Sequence, residues 1–359
     1  MSKRIFVLMS ALVVAVAAGQ TSKSAAVPKT PWGDPDLQGP WTSDDTWGVP
    51  FERPANFGTR AFLTEDELKA REKQVEASKQ RIEHPSDDQH SPAKRQLDAL
   101  NSGTPAPEPA PGGRGGGRGA SVDAAPVPGQ FGEYARRASK QTSQVVDPPN
   151  GRIPELTAEG KERQAAMRGR GRGGGSPDSW EQWSIYDRCI TRGVAGSIIP
   201  VIYGNGLEIV QAPGYVAIRY EMVHDTRIIP LDGRAHLSKD VHTYMGDPVG
   251  HFEGNTLVVE TTNLNDKMGV GANGGGLPYS EDTILTERFT RMPGNVINYE
   301  LTVNDPKTYT APWKVAFPIT QEPGYKVFEY ACHEGNMSLR NALLANRAEK
   351  EKAAEAAGK

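Results

Sequence analysis

From residue 180 onward, apolar and polar residues alternate in short runs that turn formers separate at hairpin spacing. Successive side chains of a strand point to opposite faces, so this alternation predicts strands with one face buried and one in water. The runs are 207–211, 215–223, 226–230, 250–253, 256–263, 283–291, 296–303, 313–319 and 326–332. Pro213-Gly214, Asp232-Gly233, Gly254-Asn255, Pro293-Gly294 and Pro323-Gly324 mark the turns. With no helical period between them, the runs predict an antiparallel meander. The fold class expected is mainly β, an up-and-down barrel with an irregular N-terminal half and a few peripheral helices; an open sandwich is the alternative. In 296–303 the apolar face is Ile297, Tyr299, Leu301 and Val303, with Glu300 opposite. In 256–263 the two faces are less distinct, and Glu260 is expected to share an inner face with Val258. In 326–334 either Glu329 and His333 or Glu334 would point inward.

Upstream the pattern is weaker. Residues 28–62 carry Trp32, Trp41, Trp47 and Phe51 among many turn formers, which reads as a strap packed across a domain. Thr64 and Glu67 form a capping box, with Leu63 and Leu68 at the staple positions, and predict a mostly charged surface helix to about residue 82. Thr157 is placed to cap a short helix over 158–167, and Asn336 one whose face is Leu339, Ala342, Leu343 and Asn346; the charged residues after it are expected to fray. Residues 101–130 and 168–175 are low-complexity tracts of Pro, Gly, Ala and Arg, read as linkers that cannot bury a core. A long glycine-rich loop over 266–279 interrupts the strand spacing and is expected to gate a ligand at the barrel mouth. The domain division expected is a leader over 1–19, strap and helix over 20–100, linker over 101–179, barrel over 180–346 and a charged tail over 347–359.

Composition narrows the setting. The 359 residues include 39 glycines and 28 prolines, and the net charge of −3 gives no field to attract nucleic acid or anionic lipid. Lys3 and Arg4 precede an apolar run over 5–18 that is too short to span a bilayer comfortably and ends in small residues, the pattern of a cleaved secretory leader. No cysteine stands where a lipid anchor would attach. A periplasmic or secreted protein is expected, with no stable membrane insertion after cleavage. The two cysteines, Cys189 and Cys332, are then expected to form a disulfide.

Candidate chemistry concentrates in two stretches. The first, 221–242, holds His224, Asp225, Arg227, Asp232, Arg234, His236, Asp240 and His242 among apolar residues, and reads as a strand, an Asp232-Gly233 turn and a return strand. The second, 330–336, carries His333 and Glu334 at a strand end. A Cys189–Cys332 bond would pin Asp187 and Arg188 beside His333, and convergence of remote segments is what a site requires. The candidate site residues are therefore His224, Asp225, Arg227, His236, His333 and Glu334. Three arrangements are open. His224, His236 and His333, with Asp225 or Glu334, form an acceptable ligand set for zinc or another divalent metal. Without a metal, His224 would act as general base while Arg227 or Arg234 clamps an anion. The third is a salt-bridged hairpin with no chemistry. No phosphate loop, dinucleotide fingerprint or serine elbow appears in a suitable context.

Gly39-Pro40-Trp41 resembles the Gly-x-Trp that opens the first strand of lipocalin barrels. More broadly, TPWGDPDLQG (30–39), VVDPPNGRIPEL (145–156), DRCITRG (187–193), MVHDTRIIPLDGRAHL (222–237), FEGNTLVVETTNL (252–264), ERFTR (287–291) and YACHEGN (330–336) resemble the hallmarks of an uncharacterised family of exported soil-bacterial proteins. That resemblance implies location and a common fold, and no activity. The functional expectation is a hydrolase or lyase acting on a small polar or anionic substrate, sugar-derived for instance, by histidine–carboxylate acid–base chemistry. The alternative is a non-catalytic periplasmic small-ligand-binding or scaffold protein.

Overall fold

A computed structural model describes residues 26–83, 135, 137–168, 178–201, 203–321 and 324–358. The expected leader, the 101–130 tract and residues 169–175 of the second tract lie outside the described residues. The strands are β1 (Gly39–Thr42), β2 (Val145–Asp147), β3 (Gly206–Ala212), β4 (Tyr215–Tyr220), β5 (Thr226–Pro230), β6 (Asp247–Glu253), β7 (Thr256–Thr262), β8 (Gly269–Val270), β9 (Leu277–Pro278), β10 (Ile284–Arg291), β11 (Val296–Asn304) and β12 (Trp313–Gln321). Among the described residues the α-helices are α1 (Glu65–Glu83), α2 (Ala158–Arg168), α3 (Gly193–Ile198) and α4 (Ser338–Ala357).

Nine strands make a nearly closed up-and-down barrel in the order β5-β4-β3-β1-β12-β11-β10-β7-β6, with β2 attached to β12. Two of the sheet's strands, β1 and β2, come from the half of the chain expected to stand outside the barrel. Every ladder along that path is antiparallel. A ring of nine strands cannot alternate direction all the way round. Following the directions from β1 both ways shows that β5 and β6, which meet at the seam, run parallel.

That parity explains the first correction. Asp232-Gly233 does make a turn, with Asp232 Oδ1 accepting from the Arg234 amide at 3.2 Å and Gly233 at φ +69°. No return strand follows it, because parallel neighbours need a connection that runs back along the barrel. Residues 231–246 are that connection, and β6 begins only at Asp247.

The interior is packed with side chains. The alternation seen in the sequence holds over β10, β11 and β12, where Leu285, Phe289, Ile297, Tyr299, Leu301, Val303, Trp313, Val315 and Ile319 are fully buried. Phe289, Tyr299 and Phe317 are directly opposed across three strands, with ring centroids 5.0 and 5.2 Å apart. Such cross-strand aromatic rows are a main unit of sheet stabilisation. On β7, Leu257, Val259 and Thr261 point inward; Glu260 does share a face with Val258, but it is the outer face, where Glu260 is exposed.

The seam closes through side chains. A Cβ on Gly250 of β6 would lie 2.8 Å from Ile229 Cγ2 and 3.1 Å from Leu231 Cδ2, so glycine is what lets β5 settle there. From β5, Arg227 reaches through the interior to Thr261 on β7 and Glu287 on β10.

Three other expectations are corrected. The run 215–223 ends at Tyr220, and Met222–His224 forms a tight turn with Val223 and His224 at φ 62° and 49°. The run 326–332 is not a strand, since both edges of β12 are already taken, one by β11 and the other by β1 and β2. The glycine-rich loop is packed down instead of standing over a mouth: a Cβ on Gly196 of the wholly buried α3 would lie 2.3 Å from the Gly274 amide nitrogen.

The helix expectations hold at α1, where the Thr64 amide donates to Glu67 and the Glu67 amide to Thr64, and at α2, where Thr157 Oγ1 accepts from the Gly160 amide. At α4 the N-cap is Met337 in place of Asn336, Asn346 lies on the buried face, and the charged tail stays helical to Ala357.

Candidate functional site

The segment after β12 crosses the outside of the barrel as a strap. Val327 O accepts from Arg219 Nη2 at 2.9 Å, Tyr330 O lies 3.2 Å from His224 Nδ1, and the Tyr325 hydroxyl donates to Glu221. Beyond these pins, the Cys189–Cys332 disulfide ties the strap to the loop that precedes α3. The expected pairing of the two cysteines is therefore present.

That loop is itself well anchored. Its first turn, Trp180–Gln182, is capped by Ser179, and the Ser184 hydroxyl donates to Asp187 Oδ2 at 2.7 Å while accepting from the Asp187 amide. At its far end, the buried Arg192 donates to the carbonyls of Gly204 (2.6 Å) and Tyr203 (2.9 Å) and lies over the Tyr186 ring. Tyr186 and Tyr203 place their hydroxyls 3.4 Å apart. Burial, then this hydroxyl contact, push Tyr186 well above the ordinary tyrosine value, and Tyr330 is raised too, first by burial. Tyr186 and Tyr330 therefore stay neutral at physiological pH.

Between loop and strap lies a cleft of about 320 Å³, lined by Trp180, Asp187, Arg188, Ile190, His333, Asn336 and Leu339. The Arg188 guanidinium lies over the Trp180 ring at 4.4 Å. Asn336 donates to Cys189 Sγ at 3.3 Å, which ties the rim of the cleft to the cross-link. Three non-glycine residues with positive φ flank this region: Cys189 at 58°, Val223 and His224. Left-handed backbone at a β-branched residue such as Val223 costs about 1–3 kcal/mol and persists where the surroundings enforce it, often at functional sites.

The sequence-predicted residues divide among four places. His333 lines the cleft, as expected from the disulfide, with Asp187 and Arg188 beside it. Glu334 is exposed and does not line it. His224 is exposed on the far side of the cross-link, with its ring Nδ1 3.2 Å from the Tyr330 carbonyl of the strap, and it does not line the cleft. Next to it, burial raises the Asp225 carboxyl, Thr191 acts against that rise, and Asp225 Oδ2 is buried without a hydrogen-bond partner among the described residues.

Arg227 is not an anion clamp. It is sealed inside the barrel and forks onto Glu287 at 2.6 and 3.1 Å, with Tyr220 and Thr261 completing its shell. Arg234, the other proposed clamp, pairs with Asp232 on the surface. His236 sits on the crossover between Asp247 (3.1 Å) and Glu260 (3.2 Å).

The ligand set His224, His236 and His333 therefore does not assemble. Among the described residues no group of three histidine, cysteine, aspartate or glutamate side chains could hold a metal ion.

The sequence reading passed over Glu287. Its signal was present, since Leu285, Glu287 and Phe289 fall on one face of a strand whose apolar members are buried. Trp180 and Asn336 were visible as residues, but nothing local in the sequence says that they share a cleft. Family models, curated proteins and solved structures give no match to this chain. The functional reading rests on the cleft.

Proposed function

We propose that this is an exported β-barrel protein that binds a small polar molecule in the cleft between the 180–192 loop and the C-terminal strap. The observation that carries the reading is the cross-link: Cys189–Cys332 fastens two remote segments so that Arg188, His333 and Asn336 line one cavity. A volume of about 320 Å³ falls at the lower end of small-molecule sites. The filled barrel interior supports a site on the outside over a lipocalin-like lumen. Export is supported by the basic and apolar leader pattern of residues 3–18 and by the disulfide, and no described helix is long and apolar enough to cross a membrane.

A thermal-shift screen of small polar metabolites on the oxidised full-length chain tests the reading. Hits should lose their effect in Leu339→Trp, which fills the cleft. If every hit survives that substitution, the ligand lies elsewhere and the proposal fails.

A catalytic version is favoured by one observation, His333 and Asp187 lining the same cavity. In it His333 exchanges a proton with bound substrate as a hydrolase or lyase would. His333→Ala would then abolish turnover of a bound hit while leaving its affinity within about threefold, a change worth less than 1 kcal/mol.

A further inference from the structure

Arg188 and Arg192 stand four residues apart and are used differently. Arg192 spends its guanidinium on the carbonyls of Gly204 and Tyr203. Arg188 has one face on Trp180, lines the cleft, and makes no side-chain hydrogen bond or ion pair within the described residues. A half-buried guanidinium held by stacking but left without an acceptor is pre-organised for an anion, and its planar fork matches a carboxylate.

The rest of the lining limits what the anion can be attached to. Ile190 and Leu339 are half-buried apolar side chains, Asp187 is a half-buried carboxylate already held by the Ser184 hydroxyl, and His333 and Asn336 are polar groups at the exposed rim. The volume of about 320 Å³ equals about ten waters at ~30 Å³ each, enough for one ring with a short substituent. A sugar acid would bring hydroxyls against Ile190 and Leu339 and leave them unpaired, whereas a flat hydrocarbon body would not.

We infer that the cleft recognises a small carboxylic acid with a planar apolar body, of the benzoate or enoate class. Its carboxylate takes the Arg188 fork and its body packs between Ile190 and Leu339. The inference rests on the cleft being the ligand site.

Titration calorimetry on the oxidised full-length protein tests it with benzoate, benzamide and inorganic phosphate as probes. Benzoate should bind. Its affinity should fall by at least about tenfold in Arg188→Gln, as loss of a charged hydrogen-bonding partner requires, and by less in Arg188→Lys, which keeps the charge without the fork. Near-ultraviolet circular dichroism, together with an intact disulfide, verifies that each variant is folded. Benzamide binding as well as benzoate, phosphate binding better than either, or benzoate indifferent to Arg188→Gln would each overturn the carboxylate assignment. If Leu339→Trp still blocks the probe that binds, the cleft reading survives that failure. Benzoate bound equally by wild type and Leu339→Trp overturns both.

Discussion

The pair inside the barrel gives the sharpest test of how the fold is held. Arg227 and Glu287 meet through two hydrogen bonds with side chains 1% and 0% exposed, and Tyr299 donates to Glu287 Oε1 at 3.0 Å. Burial alone would lower the arginine; Glu287 outweighs it and holds Arg227 above its ordinary value, so the cation is secure. Burial also pushes Tyr220 up to about 12, which keeps it a neutral partner.

Arg227→Met removes the cation and leaves a carboxylate sealed among Leu, Val and Phe side chains with Tyr299 as its remaining donor. Stranding one member of such a pair costs about 3–5 kcal/mol, a large part of a typical 5–15 kcal/mol stability. Glu287→Leu strands the guanidinium with comparable effect. The double substitution strands neither charge, and apolar replacements of buried pairs range from neutral to stabilising by about 1–4 kcal/mol. Urea unfolding of the four proteins, disulfide intact, should therefore give a coupling energy of at least about 3 kcal/mol in the double-mutant cycle. A single Arg227→Met cost below about 1 kcal/mol, with additive singles, would refute the reasoning, because it would place that pair in contact with water.

Other features make independent predictions. Gly250→Val should destabilise by about 1–3 kcal/mol through overpacking at the seam, with Ile229→Ala in the same chain restoring part of the loss in melting temperature. Asp305 accepts from the amides of Ser280, Lys307 and Thr308 and from the hydroxyls of Ser280 and Thr283. Burial acts to raise its carboxyl, but donors on Thr308, Ser280 and Thr283 prevail and hold it below its ordinary value. Its stabilisation is therefore complete above the unfolded carboxylate value near 3.9 and is lost as pH falls through the folded one; Asp305→Asn should flatten the stability–pH slope below about pH 4. Opening the disulfide by Cys189→Ser with Cys332→Ser should cost up to about 5 kcal/mol by loop entropy and speed amide exchange over residues 330–336 more than over β10–β12.

The barrel strands were legible because their alternation is a direct record of two faces. Ile297, Tyr299, Leu301 and Val303 carry it without interruption, and all four are buried. Alternation does not record whether a neighbouring strand has a free edge. Residues 326–332 alternate as well, yet Phe328 is 70% exposed, because the wall was already complete. Arg227 was misassigned for a related reason: its charge suggested a ligand site, while its spacing from Ile229 already placed it inward. The cleft was half legible, through the two cysteines, and Trp180 and Leu339 joined it only in three dimensions. The crossover at 231–246 follows from the parity of the strand count, which no local stretch of sequence contains.

The place of β1 makes closure of this barrel depend on contacts between distant parts of the chain. Four residues near the start of the chain stand between β3 and β12, with Trp41 opposite both Leu207 and Gln321. During synthesis from the N-terminus, Gly39–Thr42 exists long before either neighbour, and the wall stays open until residue 321 has been made. Pairing β1 with either neighbour closes a long loop, which slows completion of the ring, and the edges of β3 and β12 that face it stay unpaired until it is in place. A four-residue strand, the first of the barrel strands in the chain, acts here as the keystone that joins the two runs of the wall.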